Sequence, residues 1–232
     1  MNVGGGMDWE PDRVPATTAG ERAYRWTREA ILGGRFPEGS FLEEKLVCDE
    51  AGVSRTPVRE AFHRLAAEKY IDLQPRRGAQ VRSVTAGELF ETYEMRQVLE
   101  IHGFRILCET KTDIPTGLSA HLDLMEEPST LARCRAGDRD AIAEHAKMDF
   151  FFHYSFVKAT GNTVLTDLFT SLQPRHQRIG VSAISLRPNR LAVIGPEHRA
   201  LLAALTEHDF EAAERTLRNH LRPDESVVSR LK

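Results

Sequence analysis

The chain has 232 residues, 41% hydrophobic and 28% charged, with a formal net charge of −3. That length accommodates two domains and a sizeable core, and no apolar run approaches the roughly 20 residues of a membrane span. Three cysteines, Cys48, Cys108 and Cys134, lack metal-ligand spacing and suit a reducing cytoplasm rather than a disulfide scaffold.

The first 19 residues are Gly-rich and acidic, not basic then apolar, so they do not read as a signal peptide. They are expected to form a disordered arm, with Met7 as a second candidate start. Ala23, Trp26, Ile31 and Leu32 predict a helix over 21–32, which Gly33-Gly34 ends. A turn at Pro37–Ser40 leads to a second helix over 42–51. Gly52 then supplies the positive φ of a sharp turn, Ser54 is a good N-cap, and Pro57 falls in a first helical turn. Val58, Ala61, Phe62 and Leu65 share one apolar face. Arg55, Thr56 and Arg59 are thereby left at the N-terminal end of the helix, the end that enters a major groove in recognition helices. An ordinary amphipathic helix with solvated arginines would look similar.

The context favours DNA. Two β-like runs, 70–74 and 79–83, flank the basic turn Pro75-Arg76-Arg77-Gly78. Three helices and a basic hairpin make a winged helix-turn-helix. Its expected DNA contacts are Lys45, Ser54, Arg55, Thr56, Arg59, Arg77 and Gly78. Lys and Arg only slightly exceed Asp and Glu over 20–83, so the reading rests on where the cations sit. Gly39-Ser40, Leu42, Leu46, the run Gly52 to Ala61 and Arg77-Gly78 closely resemble the DNA-binding domain of GntR-family transcription regulators. Lys69 departs from that pattern, which usually has glycine there, and is expected to alter only a helix C-cap.

Beyond the wing the periodicity is helical throughout, so the fold class is mostly α: a winged helix-turn-helix over 20–83 and an all-α helical bundle over 84–232. Thr85 and Glu88 form a capping box for a helix over 86–109. Further helices are predicted over 115–126, 129–136, 138–160, 163–181 with a kink at Pro174, 191–207 and 210–221, and 182–189 reads as a connection. The segment 82–87 joins the halves and is the expected point of reorientation.

Four polar residues sit on apolar seams. The helix from Asp138 carries Ile142, Ala146, Asp149, His153 and Val157 on one side, the next-to-last carries His198, and the last carries His220. A carboxylate on a buried seam needs a partner, and Asp149 and His153 stack one turn apart. Imidazole with carboxylate suits Zn²⁺, Ni²⁺, Mn²⁺ or Fe²⁺. Hydrogen-bonded core histidines would give the same pattern, and His176 also lies on a seam, so periodicity does not choose the ligands. His63, His102, His121, His145 and His208 read as surface or core-edge residues.

Arg96, Glu100, Asp149-x-x-Phe152-His153, Gly161-Asn162, Glu197-His198 and His220-Leu221 resemble the FCD effector domain of the FadR subgroup of GntR regulators. The resemblance implies a divalent metal on Asp149, His153, His198 and His220, often with a small carboxylate effector. Arg96 is the candidate effector anchor, because guanidinium matches carboxylate; the alternative is an i,i+4 pair with Glu100. Asn162 and Arg175 are weaker candidates. The whole chain reads as a cytoplasmic, non-enzymatic, ligand-responsive regulator, a homodimer on a palindromic DNA operator, with a small organic acid as effector and no membrane partner. A metal-sensing repressor is the alternative. A metal-dependent hydrolase fits less well, for want of His-Glu-x-x-His and of a second carboxylate beside the ligands to act as base.

Overall fold

The computed structural model describes residues 18–75 and 77–231. Nearly all of the expected arm, and Arg76, lie outside the described residues. Helix α1 (Ala19–Leu32) starts two residues earlier than the periodicity implies, because the Thr18 hydroxyl accepts the Glu21 N–H at 3.1 Å. Strand β1 (Phe41–Leu42) and helix α2 (Glu44–Ala51) follow. Gly52 has φ 63° and turns the chain into α3 (Arg55–Ala67), whose Val58, Ala61, Phe62 and Leu65 are buried. Ser54 takes the N-cap position, but its side chain makes no cap bond and stays exposed.

The wing is β2 (Ile71–Gln74) antiparallel to β3 (Gly78–Val81), and β1 pairs on the other edge of β3. Two residues carry no readable period, so β1 was not legible as a strand. Gly78 has φ 85°, and a Cβ there would collide with the Leu42 carbonyl across the β1–β3 pair. Lys69 takes φ 68° at the exit of α3, a left-handed conformation that costs a side-chain-bearing residue roughly 1–2 kcal/mol.

The remaining helices are α4 (Ala86–Thr110), α5 (Leu118–Met125), α6 (Pro128–Arg135), α7 (Arg139–Ala159), α8 (Thr163–Ser171), α9 (Gln173–Leu186), α10 (Leu191–Thr206), α11 (Phe210–His220) and α12 (Glu225–Val228). Helix α7 is the axis. It packs on α4, α5, α6, α8 and α9, so its run Phe150-Phe151-Phe152 is buried on every side. The helix expected over 163–181 is two helices, since Pro174 lacks the N–H that would continue the ladder and its ring crowds the preceding turn. Helix α9 then runs past 181 into the expected connection, because Val181 and Ile184 extend its buried face. Only half of the capping box forms. Thr85 accepts the Glu88 N–H at 3.0 Å, while the Glu88 carboxylate turns to Arg178 at 2.8 Å.

The halves share one core. Tyr24, Ile31, Val58 and Phe62 from the winged half cluster with Ala141, Ile142 and Ala146 of α7 and Val181 and Ile184 of α9. Tyr70, fully buried, donates to Gln177 Oε1 at 3.3 Å. Arg178 bonds the Ser83 carbonyl at 3.2 Å, and Val84 is buried, so the junction over 82–87 is packed down rather than loose.

Candidate metal centre

Asp149 and His153 project from adjacent turns of α7, His198 from α10, and His220 is the last residue of α11. One donor atom from each lies within 4.8 Å of all the others. The ring nitrogens His153 Nε2 and His198 Nε2 are 3.2 Å apart, and His198 Nε2 is 3.2 Å from Asp149 Oδ1.

Carboxylates set the tautomers. His153 Nδ1 donates to Glu100 Oε2 at 2.6 Å, and His220 Nδ1 donates to Glu197 Oε2 at 2.9 Å. Each ring therefore turns an Nε2 lone pair inward, the orientation that outer carboxylates impose on metal-binding histidines. The inward lone pairs of His153 and His220, beside the Asp149 carboxylate, are donors that a cation could share. The donor set of three nitrogens and one oxygen fits a divalent ion.

Protonation follows from burial and charge. Burial pushes His153 down to about 3, against the opposing pull of Glu100, and it lowers His176 and His220 as well. Burial alone would raise Glu100, but Arg96 and His153 outweigh it and hold the carboxyl down at about 2. Burial likewise opposes ionisation of Asp149, yet hydrogen bonds from His176 and His198 keep it well below the usual carboxylate range. Neutral imidazoles with ionised carboxylates are the forms that ligate.

Glu100 and Glu197 are second carboxylates beside the ligands, which sequence reasoning did not find in that role. Neither is free to act as a base. Arg96 holds Glu100 at 2.7 Å, and Arg190 grips Glu197 through both terminal nitrogens, at 3.0 and 2.6 Å. His176 is outside the four-residue set; its Nε2 bonds Asp149 Oδ2 at 2.8 Å. His121 and His145 are buried rather than peripheral, and His121 Nε2 is tied to the Met148 carbonyl at 2.9 Å. Helical period cannot distinguish a ligand from a residue that orients one, because both face inward.

Asp149 and His220 form part of the wall of a cavity of about 70 Å³. Arg96 also lines it. The guanidinium spends Nε on Glu100, so the i,i+4 pair forms, while Nη2 is buried without a partner. Asn162 and Arg175 do not line the cavity. Asn162 is the exposed N-cap of α8 and accepts the Leu165 N–H at 3.0 Å, and Arg175, next to His176 in sequence, is half-exposed.

The second candidate surface lies on the winged half. Lys45 from α2, Arg55 and Arg59 from α3, and Arg77 and Gly78 from the wing border one open concavity. Ser54 and Thr56 are exposed at the N-terminal end of α3. Glu44, which the sequence reading left out, accepts from Arg59 Nε at 2.9 Å and raises its pKa.

Comparison with known proteins agrees on both halves. The gntR family of bacterial regulatory proteins matches residues 19–81, and the FCD domain family matches 91–223. The probable D-xylose utilization operon transcriptional repressor of Paenarthrobacter nicotinovorans is 28% identical over 93% of this chain and 91% of its own. The gluconate operon transcriptional repressor of Bacillus licheniformis is 32% identical over 68% of this chain and 61% of its own. A solved GntR regulator from Rhodococcus sp. RHA1 superimposes with a TM-score of 0.72 at 25% identity, covering 87% of this chain and 93% of that one. With a winged half matching one family and more than half its length matching the other, the chain belongs to the GntR family of transcriptional regulators, in the group that carries an FCD domain.

Proposed function

We propose that this regulator binds an operator through residues 20–83 and senses a small carboxylate through residues 84–232, with a divalent metal as part of the sensing site. The observation that carries the reading is the cavity. Its wall combines two members of the four-residue ligand set, Asp149 and His220, with a buried guanidinium that keeps an unpaired N–H. Asp149, His153, His198 and His220 would hold the ion, which when bound supplies open coordination positions for a carboxylate oxygen. Arg96 would bind the acid through Nη2 while Glu100 fixes the guanidinium by Nε. The same Glu100 orients His153, so anchor and ligand share one support.

Lys45, Ser54, Arg55, Thr56, Arg59, Arg77 and Gly78 would meet duplex DNA, α3 in the major groove and the wing against the minor groove or phosphates. A palindromic operator calls for a homodimer. Support for a second copy comes from the neighbouring helices α4 and α8, which expose Met95, Val98, Val164 and Leu168. Among the described residues no helix is long and apolar enough to cross a membrane.

The test is operator release measured by gel shift at fixed salt, with metal-loaded protein and a panel of short organic acids. An acid should change operator affinity in wild type. His198→Ala should abolish that response while DNA binding survives. A response that persists in full after chelation and in Arg96→Ala would overturn the site. Release by metal alone, with no acid, would instead identify a metal sensor.

A further inference from the structure

The concavity bordered by Lys45, Arg55, Arg59 and Arg77 holds one side chain that its charge does not explain. Phe41, from β1, lines it and is 46% exposed, while every other described side chain on its border is charged or polar. Single exposed apolar residues are ordinary on a protein surface. Phe41 differs in where it stands and in what fixes its direction.

Strand alternation fixes the direction. Leu42 is fully buried, so its neighbour Phe41 stands on the opposite face of the sheet. Across the ladder Phe41 pairs with Gln80, which in turn pairs with Asp72. Both of those polar side chains are committed elsewhere. Gln80 donates to the Gly39 carbonyl at 2.9 Å, and Asp72 accepts from Arg82 at 2.7 Å. The exposed ring thus lies between the first residues of α2 and α3 on one side and Gln74, Arg77 and Gly78 of the wing on the other.

With α3 in a major groove and the wing against the adjoining minor groove, a sugar–phosphate strand runs between them. The cations suit its phosphates. The apolar part of such a strand is the deoxyribose, and Phe41 is the apolar side chain placed to meet it.

We infer that Phe41 packs on a deoxyribose of the strand between the two grooves, as a positioning contact that holds α3 and the wing in register on the duplex. The inference rests on the proposal that this concavity is the DNA surface. A sugar contact carries no sequence information, and it releases no counterion. Phe41 should therefore add affinity that neither salt nor base changes alter, unlike the arginines beside it.

The probe is a duplex operator selected by the wild-type chain from a random library, with affinity read by fluorescence anisotropy between about 50 and 200 mM salt. Phe41→Ala should weaken binding by about 5–10-fold through lost apolar burial. The slope of log K against log salt should match wild type, whereas Lys45→Ala should flatten it by about one. Single-base-pair variants of the operator should all lose the same factor, and Phe41→Leu should recover most of the affinity. Titration at stoichiometric operator concentration gives each variant's active fraction, so a folding defect is not read as lost affinity. Unchanged affinity in Phe41→Ala overturns the inference, as does a loss whose size varies with salt. A penalty for replacing thymine by deoxyuridine that disappears in Phe41→Ala also overturns it, and assigns the ring to a thymine methyl instead. If Arg55→Ala and Arg59→Ala weaken binding and Phe41→Ala does not, the DNA surface stands and only the sugar contact falls. If the wild-type chain selects no duplex, the surface and this inference fall together.

Discussion

At the scale of single residues, His153 is held at both ends, by Glu100 on Nδ1 and by the ligand cluster on Nε2. This makes the roles separable. If Asp149, His153, His198 and His220 hold the proposed ion, His153→Ala should abolish metal uptake. Glu100→Gln and Glu197→Gln keep all four ligands and lose only the orienting charge, so affinity should fall by about 10–100-fold in a chelator competition. His176→Ala should retain the ion with weaker affinity, since it removes a hydrogen bond to Asp149 and not a donor to the metal. Equal loss in all four variants would show that the assignment of ligands and supports is wrong. Asp149 and His153 were legible as an inward-facing i,i+4 pair on a buried seam, though not as ligands, since hydrogen-bonded core histidines give the same pattern. Glu100 was not, since its spacing from Arg96 already accounts for it as an ordinary helix pair.

At the scale of elements, α3 is the clearest case of sequence dictating form. Gly52 makes the turn, four apolar residues choose the buried face, and the arginines are left outside. Arg59 carries a further constraint. With Nε bonded to Glu44, its terminal nitrogens remain to meet a base edge. If Arg55 and Arg59 read bases, alanine at either should cost about 1–3 kcal/mol of operator affinity and relax specificity at one position. A variant that weakens all sequences alike and flattens the salt dependence would mark a phosphate contact instead. Gel shifts on operator point variants separate the two, and unchanged affinity in both alanine variants would remove α3 from the interface. By contrast, β1 left no sequence signal, because its pairing with β3 is decided by the turn at Gly39 and the close approach at Gly78, not by its own two residues.

Helix α9 connects the candidate sites. His176 bonds Asp149, Gln177 accepts from Tyr70 of the winged half, and Arg178 holds Glu88 and the Ser83 carbonyl at the junction. Three consecutive residues thus touch the metal cluster, the DNA-binding half and the link between them. Consecutive helix positions point in different directions, so a small rotation of α9 would move all three contacts together. Tyr70→Phe deletes one of them at a net cost of about 1 kcal/mol. It should leave acid affinity by calorimetry unchanged while reducing the acid's effect on operator binding. If the operator response is intact in Tyr70→Phe and in Arg178→Gln, coupling does not run through α9. The sequence reading placed the reorientation at 82–87 because that segment joins the wing to the next helix; what it could not register is that Arg178, far along the chain, bonds the Ser83 carbonyl within it.

At the scale of the whole molecule, the shared core changes what metal binding can do. The sequence pattern changes near 83, but Phe62, Ala146 and Val181 belong to one cluster across that point. Two bodies joined only by a linker would melt separately, and a ligand of one would leave the other unmoved. Here the winged half loses packing when α7 and α9 unfold, so the halves should melt in one transition. A metal that binds only the folded state stabilises by RT ln(1 + [L]/Kd), about 2.7 kcal/mol at 100 times Kd. Chelation should therefore lower the melting temperature of the winged half along with that of the helical half. Hydrogen exchange can read this in the α1 and α3 amides, which should lose protection in His153→Ala although they lie in the other half of the chain. Protection there that is indifferent to the metal, with α7 alone affected, would mean that the interface is too weak to carry a signal from the site to the DNA.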